Sequence, residues 1–489
     1  MKKCTLVIKD FVNVKFENLD LVIRNKINKT LKYMPAYARH TPQYKLKRWD
    51  GMIPFATVGG GTYLNLLDRV LPMILEAGYE IDIQDLRPNK QFDFPEIDEY
   101  FLSEYTWAKG HIYEGEPIIL MDHQVNAVNA YLKNPQSLEC LATSSGKTII
   151  TACLSKIVEK NKGRSLIIVP SIQLVRQTEE DYLNLGLDTG VYFGEEKNYD
   201  NQHIITTWQS MMFLTRDAKE NPESKEKLNR ILKNLDCVIV DEAHGIKGSE
   251  LKFMLCETLS KIPLRWGLTG TIPKDEYDFI CLLVAIGNVV HTVYAKELQD
   301  LGLISNCHVT IVRTIDDHVE FTDYESEKDF LHSDKERIAW FLEYCKEVIK
   351  TGNTLVLVGN IDLGKKLSKL VPNSFFIYGN VKNDKRIEEF KKMAQNDNVI
   401  LFATFQTCST GISAVRIFNL ILLESGRSFT RVIQSAGRVL RKGGDKDFAN
   451  IYDICSTLKY SSKHLSVRKT YYKEAQYKFT ENKINYKTT

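Results

Sequence analysis

Ten short apolar runs, alternating with amphipathic stretches of helical period, limit this chain to very few folds. Five lie between about residues 118 and 302, at 138–142, 165–169, 203–206, 237–240 and 266–269. Five more follow residue 303, at 354–358, 374–378, 399–403, 420–423 and 450–453. Runs rich in β-branched residues that alternate with helices build parallel, doubly wound sheets. The expected class is α/β, with two tandem parallel-sheet domains over 116–302 and 303–489.

The first 85 residues read differently, as a small α+β unit. Segments 5–9 and 12–16 are β-rich, and Leu19, Ile23, Ile27 and Leu31 recur at helical spacing. Residues 45–55 read as a hairpin closed on Asp50-Gly51, a strong turn signal. A short helix with Pro72 in its first turn is expected to end at Gly78. The acidic stretch 86–115, with Pro88 and Pro95, is the expected linker.

Composition narrows the function classes. The longest apolar run, Phe279 to Ile286, is eight residues, against roughly 18 for a membrane span. Lys9 and Asp10 break the N-terminal apolar stretch too early for a secretory signal. Ten scattered cysteines form no CxxC pair, which points to a reducing, cytoplasmic setting without a metal cluster. The net charge is only +3, yet residues 1–50 hold 12 Lys/Arg against 4 Asp/Glu, and the tail from Ser456 holds 8 against 2. Such basic ends fit either a solvated surface or contact with a polyanion.

Three motifs carry chemistry. Leu141-Ala-Thr143-Ser144-Ser145-Gly146-Lys147-Thr148 stands between a strand and a helix, as a P-loop does. Its backbone N–H groups would cradle phosphates, Lys147 would reach the outer two, and Thr148 would hold Mg²⁺. The strict pattern has glycine where Leu141 stands. Asp241-Glu242-Ala243-His244 follows an apolar run 94 residues after Lys147. Asp241 is the expected Mg²⁺ partner, and Glu242 the base that polarises the attacking water. Gln434, Arg438 and Arg441 lie in the second domain, the arginines three apart and on one helix face. They would stabilise charge on the γ-phosphate, completing an ATP site assembled from both domains.

This set resembles superfamily 2 helicases, and lesser signals follow in that family's order. Gln124 stands 23 residues before Lys147, where the family places an adenine-reading glutamine. The segment from Pro170 to Gln177 resembles motif Ia, and Thr206-Thr207 the next contact with the nucleic-acid backbone. Thr269-Gly270-Thr271 is similar to motif III, Gly359 to motif IV and Thr410-Gly411-Ile412-Ser413 to motif V. The resemblance implies that both α/β domains are RecA-like. Trp49-Asp-Gly-Met-Ile-Pro-Phe, Tyr63-Leu-Asn-Leu-Leu and Gly78-Tyr-Glu-Ile narrow it to the phage UvsW-type helicases. That group acts on branched DNA, namely forks, Holliday junctions and R-loops, in recombination, repair and replication restart. For a phage chain the setting would be the host cytoplasm. The chain departs from the superfamily at Ser144, where glycine is usual, so this backbone must avoid positive φ or bear strain. Ser413 stands where many relatives carry Asp or Asn.

The expected partner is DNA with single- and double-stranded junctions, gripped through phosphates by a monomer that contacts no membrane. Recombination or single-strand-binding proteins are candidate protein partners. Residues Pro170, Gln177, Thr207, Thr271, Gly359, Thr410 and Gly411 would line the strand path. Arg48 and Trp49 would hold a duplex arm or stack at a junction, although Trp49 equally fits a hairpin core. The tail's lysines and aromatic residues fit a third contact or a helix packed on the second domain. His244 would couple the ATP site to motif III by a hydrogen bond. Two other activities remain open from sequence: duplex translocation without strand separation, and ATP-switched DNA annealing.

Overall fold

The computed structural model describes residues 2–90, 92–109, 113–246, 248–381, 383–408, 416–426, 437, 440 and 446–488. It divides into two compact units, Met1–Leu141 with Gly146–Thr292, and Ala142–Ser145 with Val293–Thr489. No helix among the described residues is long and apolar enough to cross a membrane.

The first unit opens with a four-stranded sheet of β1 (Lys2–Ile8), β2 (Asn13–Glu17), β3 (Gly61–Tyr63) and β4 (Tyr79–Asp85), in the order β3-β2-β1-β4. Helices α1 (Leu21–Thr30) and α2 (Leu67–Glu76) pack on it, burying Ile27, Val70 and Ile74. The expected hairpin on Asp50-Gly51 is absent. Thr41 and Pro42 instead start a short helix, Pro42–Lys45, with the Thr41 side chain accepting from the Tyr44 N–H. Ile53–Pro54 pairs with Lys32–Tyr33, which brings Phe55 edge-on to Tyr33 in the core. Pro72 also sits deeper than expected, well inside α2, because a 3₁₀ turn at Leu64–Leu66 leads the helix in earlier.

This α+β layer shares one apolar core with the sheet that follows. The Phe11 N–H donates to the Ser260 carbonyl, Asn13 Nδ2 to Cys256 and Asn65 Nδ2 to Leu283. Lys252 opens a π-helix, Lys252–Thr258, and its ammonium lies 4.0 Å from the Phe55 ring centre. The acidic stretch after β4 also packs down: Leu102 is buried, and the Asn129 side chain bonds both the N–H and the carbonyl of Ile97.

The first large sheet contains β5 (Gln136–Leu141), β6 (Arg164–Val169), β7 (Thr189–Phe193), β8 (Glu196–Lys197), β9 (His203–Thr207), β10 (Leu235–Val240), β11 (Leu264–Thr269) and β12 (Asn288–Val293). Its order is β8-β7-β9-β6-β10-β11-β5-β12. Helices α3 (Asp122–Lys133) and α4 (Lys147–Lys160) flank β5, and α4 is buried from Ile150 to Val158. The second unit's sheet holds β13 (Asn306–Thr314), β14 (Thr354–Val358), β15 (Phe375–Ile377), β16 (Ile400–Thr404), β17 (Asn419–Leu423), β18 (Phe448–Ser456) and β19 (Lys478–Ile484). Its order, β15-β16-β14-β17-β18-β13-β19, repeats the first sheet's seven strands from β7 to β12 one for one. Every pairing in this second sheet is parallel. The expected fold class of two parallel-sheet domains after a small α+β unit is therefore what the chain adopts.

The basic tail is part of the second sheet. It forms α8 (Lys459–Glu474, numbered after α5 Tyr324–Ser333, α6 Lys335–Ile349 and α7 Ile361–Leu370) and then the edge strand β19. Tyr471, Tyr472, Tyr477 and Tyr486 are buried, so these rings pack the domain and cannot stack on bases.

Two buried charges give this architecture testable consequences. Arg468 forms a bidentate pair with Asp453 (2.8 and 2.9 Å), and Tyr472 donates to the same carboxylate. Asp453→Ala would leave a buried guanidinium unpaired, so urea unfolding should show a loss of about 3–5 kcal/mol. A loss below about 1 kcal/mol would contradict this account. Glu139 on β5 is fully buried, with His291 3.6 Å away. Burial pushes its carboxyl up to about 7, against the pull of His291. Between the ordinary carboxylate range and about pH 7 the unfolded chain releases this proton first, so rising pH destabilises the fold. Glu139→Gln should therefore gain on the wild type by about 2 kcal/mol between pH 5.5 and 8. A difference that stays constant with pH would contradict the assignment.

Candidate nucleotide site and strand-contact residues

Three neighbouring strands end at one mouth of the first sheet, β10, β11 and β5. The loop after β5 reverses direction through two left-handed residues, Ser144 (φ 70°) and Gly146 (φ 85°). Ser144 thus carries the backbone strain that replacement of glycine implies. At Gly146 a side chain is excluded twice over, because a Cβ there would lie 2.2 Å from Gln124 Nε2. Gln124 is buried at the start of α3, where its Oε1 accepts from the Met121 N–H, and so its amide lies against the loop.

Lys147, first residue of α4, points its ammonium at Glu242 Oε1, 2.8 Å away. Glu242 follows β10 in a left-handed conformation (φ 47°), and its N–H donates to Asp241 Oδ1 at 2.8 Å. The Gly270 N–H, just past β11, approaches Glu242 Oε2 at 3.4 Å. Burial works against the Glu242 charge, but Lys147 and His244 outweigh it and hold the carboxyl well below the usual range. Burial likewise works against Lys147, and Glu242 and Asp241 outweigh it to hold the ammonium charged. The two residues at this mouth are an ionised pair.

His244 completes the cluster. Its Nδ1 lies 2.6 Å from Thr269 Oγ1, which donates in turn to the Thr271 carbonyl and accepts from the Thr271 N–H. With the threonine proton committed to Thr271, Nδ1 must carry the imidazole proton in this bond. Burial lowers the His244 pKa despite Glu242, so the ring stays neutral at pH 7. This is the link between the Asp-Glu-Ala-His segment and the Thr-Gly-Thr segment that the sequence suggests.

The residues at this mouth fit a magnesium-bound phosphate. Ser144 Oγ is buried without a partner, and Thr148 and Asp241 offer the hard oxygen donors that Mg²⁺ takes. No group of three or more His, Cys, Asp or Glu side chains gathers for a metal among the described residues. The donor set thus suits a metal completed by phosphate and water, not an all-protein cage. Thr143, Ser145 and Lys147 lie on the same loop and helix start.

Residues expected on the strand path are placed unevenly. Pro170 directly follows β6, and Gln177 lies exposed on the helix Ile172–Asn184. Thr207 and Thr271 are only 4% exposed. The Thr207 hydroxyl is used as a helix cap, accepting from the Ser210 N–H, so these two residues present backbone more than side chain. Gly359 follows β14 with open space where a side chain would be. Arg48 and Trp49 line a cleft of about 560 Å³ with Arg39, Tyr44, Lys45 and Lys47. Trp49 is half-buried there, donating from Nε1 to the Met52 carbonyl, and is not hairpin core. Gln434, Arg438, Arg441, Thr410 and Gly411 lie outside the described residues. The buried Glu139 was missed from sequence, although an acid inside the apolar run Leu138-Glu-Cys-Leu was the available signal.

The chain is similar to several known proteins. Residues 117–274 match the family described as type III restriction enzyme, res subunit. The chain is 24% identical over 460 residues to the ATP-dependent DNA helicase uvsW of Enterobacteria phage T4, covering 88% of this chain and 87% of that protein. It is 26% identical over 219 residues to the DNA 3'-5' translocase XPB2 of Sulfurisphaera tokodaii, covering 43% of this chain and 45% of that protein. In fold it is similar to a putative HsdR subunit fragment of a type I restriction enzyme from Vibrio vulnificus YJ016. That likeness has a TM-score of 0.57 at 17% identity, covering 97% of this chain and 85% of that one. The likeness to the uvsW helicase extends over 88% of this chain, well beyond the nucleotide motifs, and the chain is similar to that helicase along most of its length.

Proposed function

We propose that the chain is an ATP-dependent DNA helicase that unwinds or branch-migrates forks, Holliday junctions and R-loops during recombination, repair and replication restart. The observation that carries the reading is the ionised Lys147–Glu242 pair at the mouth of the first sheet, with Asp241 bonded to the Glu242 backbone. Lys147 would leave Glu242 for the outer phosphates of ATP, and Glu242 would then orient the attacking water. Mg²⁺, held by Thr148 and Asp241, supplies charge neutralisation on those phosphates when bound. Gln124 would read the adenine, and Thr143, Ser144, Ser145 and Gly146 would cradle the phosphates. Gln434, Arg438 and Arg441 keep the role of stabilising charge on the transferred phosphate. His244 and Thr269 would report the phosphate state to Gly270 and Thr271.

The strand would be held by phosphate contacts at Pro170, Gln177, Thr207, Thr271, Gly359, Thr410 and Gly411, without reading sequence. The cleft at Arg48 and Trp49, with four cations against Asp50, suits a duplex arm. A second reading, duplex translocation without strand separation, draws on the similarity to a protein named as a DNA translocase. A monomer working in the host cytoplasm, beside recombination or single-strand-binding proteins, completes the proposal.

The test is ATP hydrolysis with no nucleic acid, single-stranded DNA, duplex, a four-way junction and RNA, each across a salt series. The junction should stimulate turnover at least about tenfold, with a steep loss at high salt. Lys147→Ala should abolish it. Displacement of a labelled strand separates unwinding from duplex translocation. Stimulation by RNA alone, or by nothing, would contradict the proposal.

A further inference from the structure

The second sheet has its own candidate site, away from the nucleotide cluster. In open parallel sheets ligands bind outside the carboxyl ends of the strands, where the direction of strand order reverses. In the second sheet that point lies between β14, whose connection leads toward β15, and β17, whose connection leads toward β18. A pocket of about 200 Å³ opens there, lined by Gly359 after β14 and by Glu424, Ser425 and Gly426 after β17.

The lining selects the ligand. Tyr324, His464 and Phe405 supply ring walls, and Tyr324 stands edge-on to His464 with centres 5.2 Å apart. Two polar atoms in the wall are buried and lack partners, Ser425 Oγ and His332 Nδ1. Ser425 is only 6% exposed, so that hydroxyl goes unsatisfied unless a ligand meets it. Burial, aided by Lys328 and Arg337, keeps the His332 ring neutral, with a pKa down to about 4. The pocket's charge argues against an anion. Glu424 is bonded by Arg337 and Ser461, Glu327 accepts from the Tyr460 and Ser461 N–H groups, and Lys328 is paired with Glu325. Among the described residues, a phosphate or carboxylate here would face two carboxylates with no uncommitted cation. A flat, neutral ring with hydrogen-bonding edges meets no such penalty. At Gly359 and Gly426 none of the described residues lies within 4 Å of where a side chain would begin.

We infer that this pocket takes a single unstacked nucleobase, stacked beside Tyr324 and hydrogen-bonded by Ser425 and His332. The inference rests on the DNA reading above for its source, the strand passing Gly359, although a free nucleoside shares the same chemistry. Stacking a base on an aromatic side chain is sequence-tolerant, as a motor that ignores sequence requires.

The test compares binding of an oligothymidylate with binding of an equally long strand of abasic residues, by fluorescence anisotropy of the full-length protein. Tyr324→Ala removes a half-exposed wall, and Ser425→Ala removes only a hydroxyl, so the two guard each other against misfolding. Tyr324→Ala should weaken oligothymidylate binding about fivefold or more and leave abasic binding unchanged. Ser425→Ala should show the same pattern at smaller size. Equal losses on both strands, or no loss on either, would overturn the base site. A wild type that binds neither strand would overturn the DNA reading and this site with it. Millimolar thymidine that competes in the wild type, and not in the variants, would support the pocket with a free nucleoside as ligand. Absence of competition alongside the predicted losses would support the strand base.

Discussion

A half-buried lysine and a half-buried glutamate face each other, and the strand ends of the first unit are arranged so that they can. Lys147 and Glu242 stand 95 residues apart in sequence and 2.8 Å apart in space. With side chains only 12% and 23% exposed, each charge is partly stripped of water and is stabilised by the other. The strand order places β10, β11 and β5 side by side, so that the residues after each strand meet at one mouth. Left-handed backbone at Ser144, Gly146 and Glu242 then turns the chain sharply enough to aim the side chains inward. Strain of this kind persists where surrounding packing over-determines it, and such places are commonly functional.

The second sheet shows what the same topology does without that pair of roles. After its first strand, β13, no glycine-rich loop follows. Asp316 sits there instead, accepting from Thr314, Ser456 and Tyr486. Arg337 and Glu424, which also has a left-handed backbone (φ 46°), form an ion pair at the end of β17. The place that the loop before Lys147 takes in the first sheet is thus filled, in the second, by that sheet's own hydrogen bonds. What remains open lies one position over, at the reversal of strand order, and its uncharged polar atoms suit a different ligand.

The sequence was most legible where burial enforces a pattern. All ten apolar runs are strands, because a strand covered on both faces has no room for polar residues. The nucleotide cluster was legible for a related reason: Lys147, Asp241, Glu242 and the His244 link sit at the ends of such strands. Edge strands were not legible. Lys478–Ile484 is mostly exposed and carries Lys, Glu and Asn, so neither period nor composition marks it as sheet. The Asp50-Gly51 turn forms, with Asp50 accepting from the Met52 N–H, but its neighbours pair elsewhere because Phe55 and Tyr33 are drawn into the core. Glu139 and the pocket at Ser425 depend on residues far apart in sequence, and no local pattern announces either.

In the proposed function, Glu242 holds Lys147 only until ATP arrives and then acts on water. The most direct test of that claim is nucleotide binding and single-turnover hydrolysis by Glu242→Gln, measured on one preparation. If the claim holds, the variant binds ATP at least as tightly as the wild type, since Lys147 no longer leaves a charged partner, while hydrolysis falls by about 100-fold or more. Retained hydrolysis would contradict the role of Glu242, and lost ATP binding would contradict the exchange of partners at Lys147.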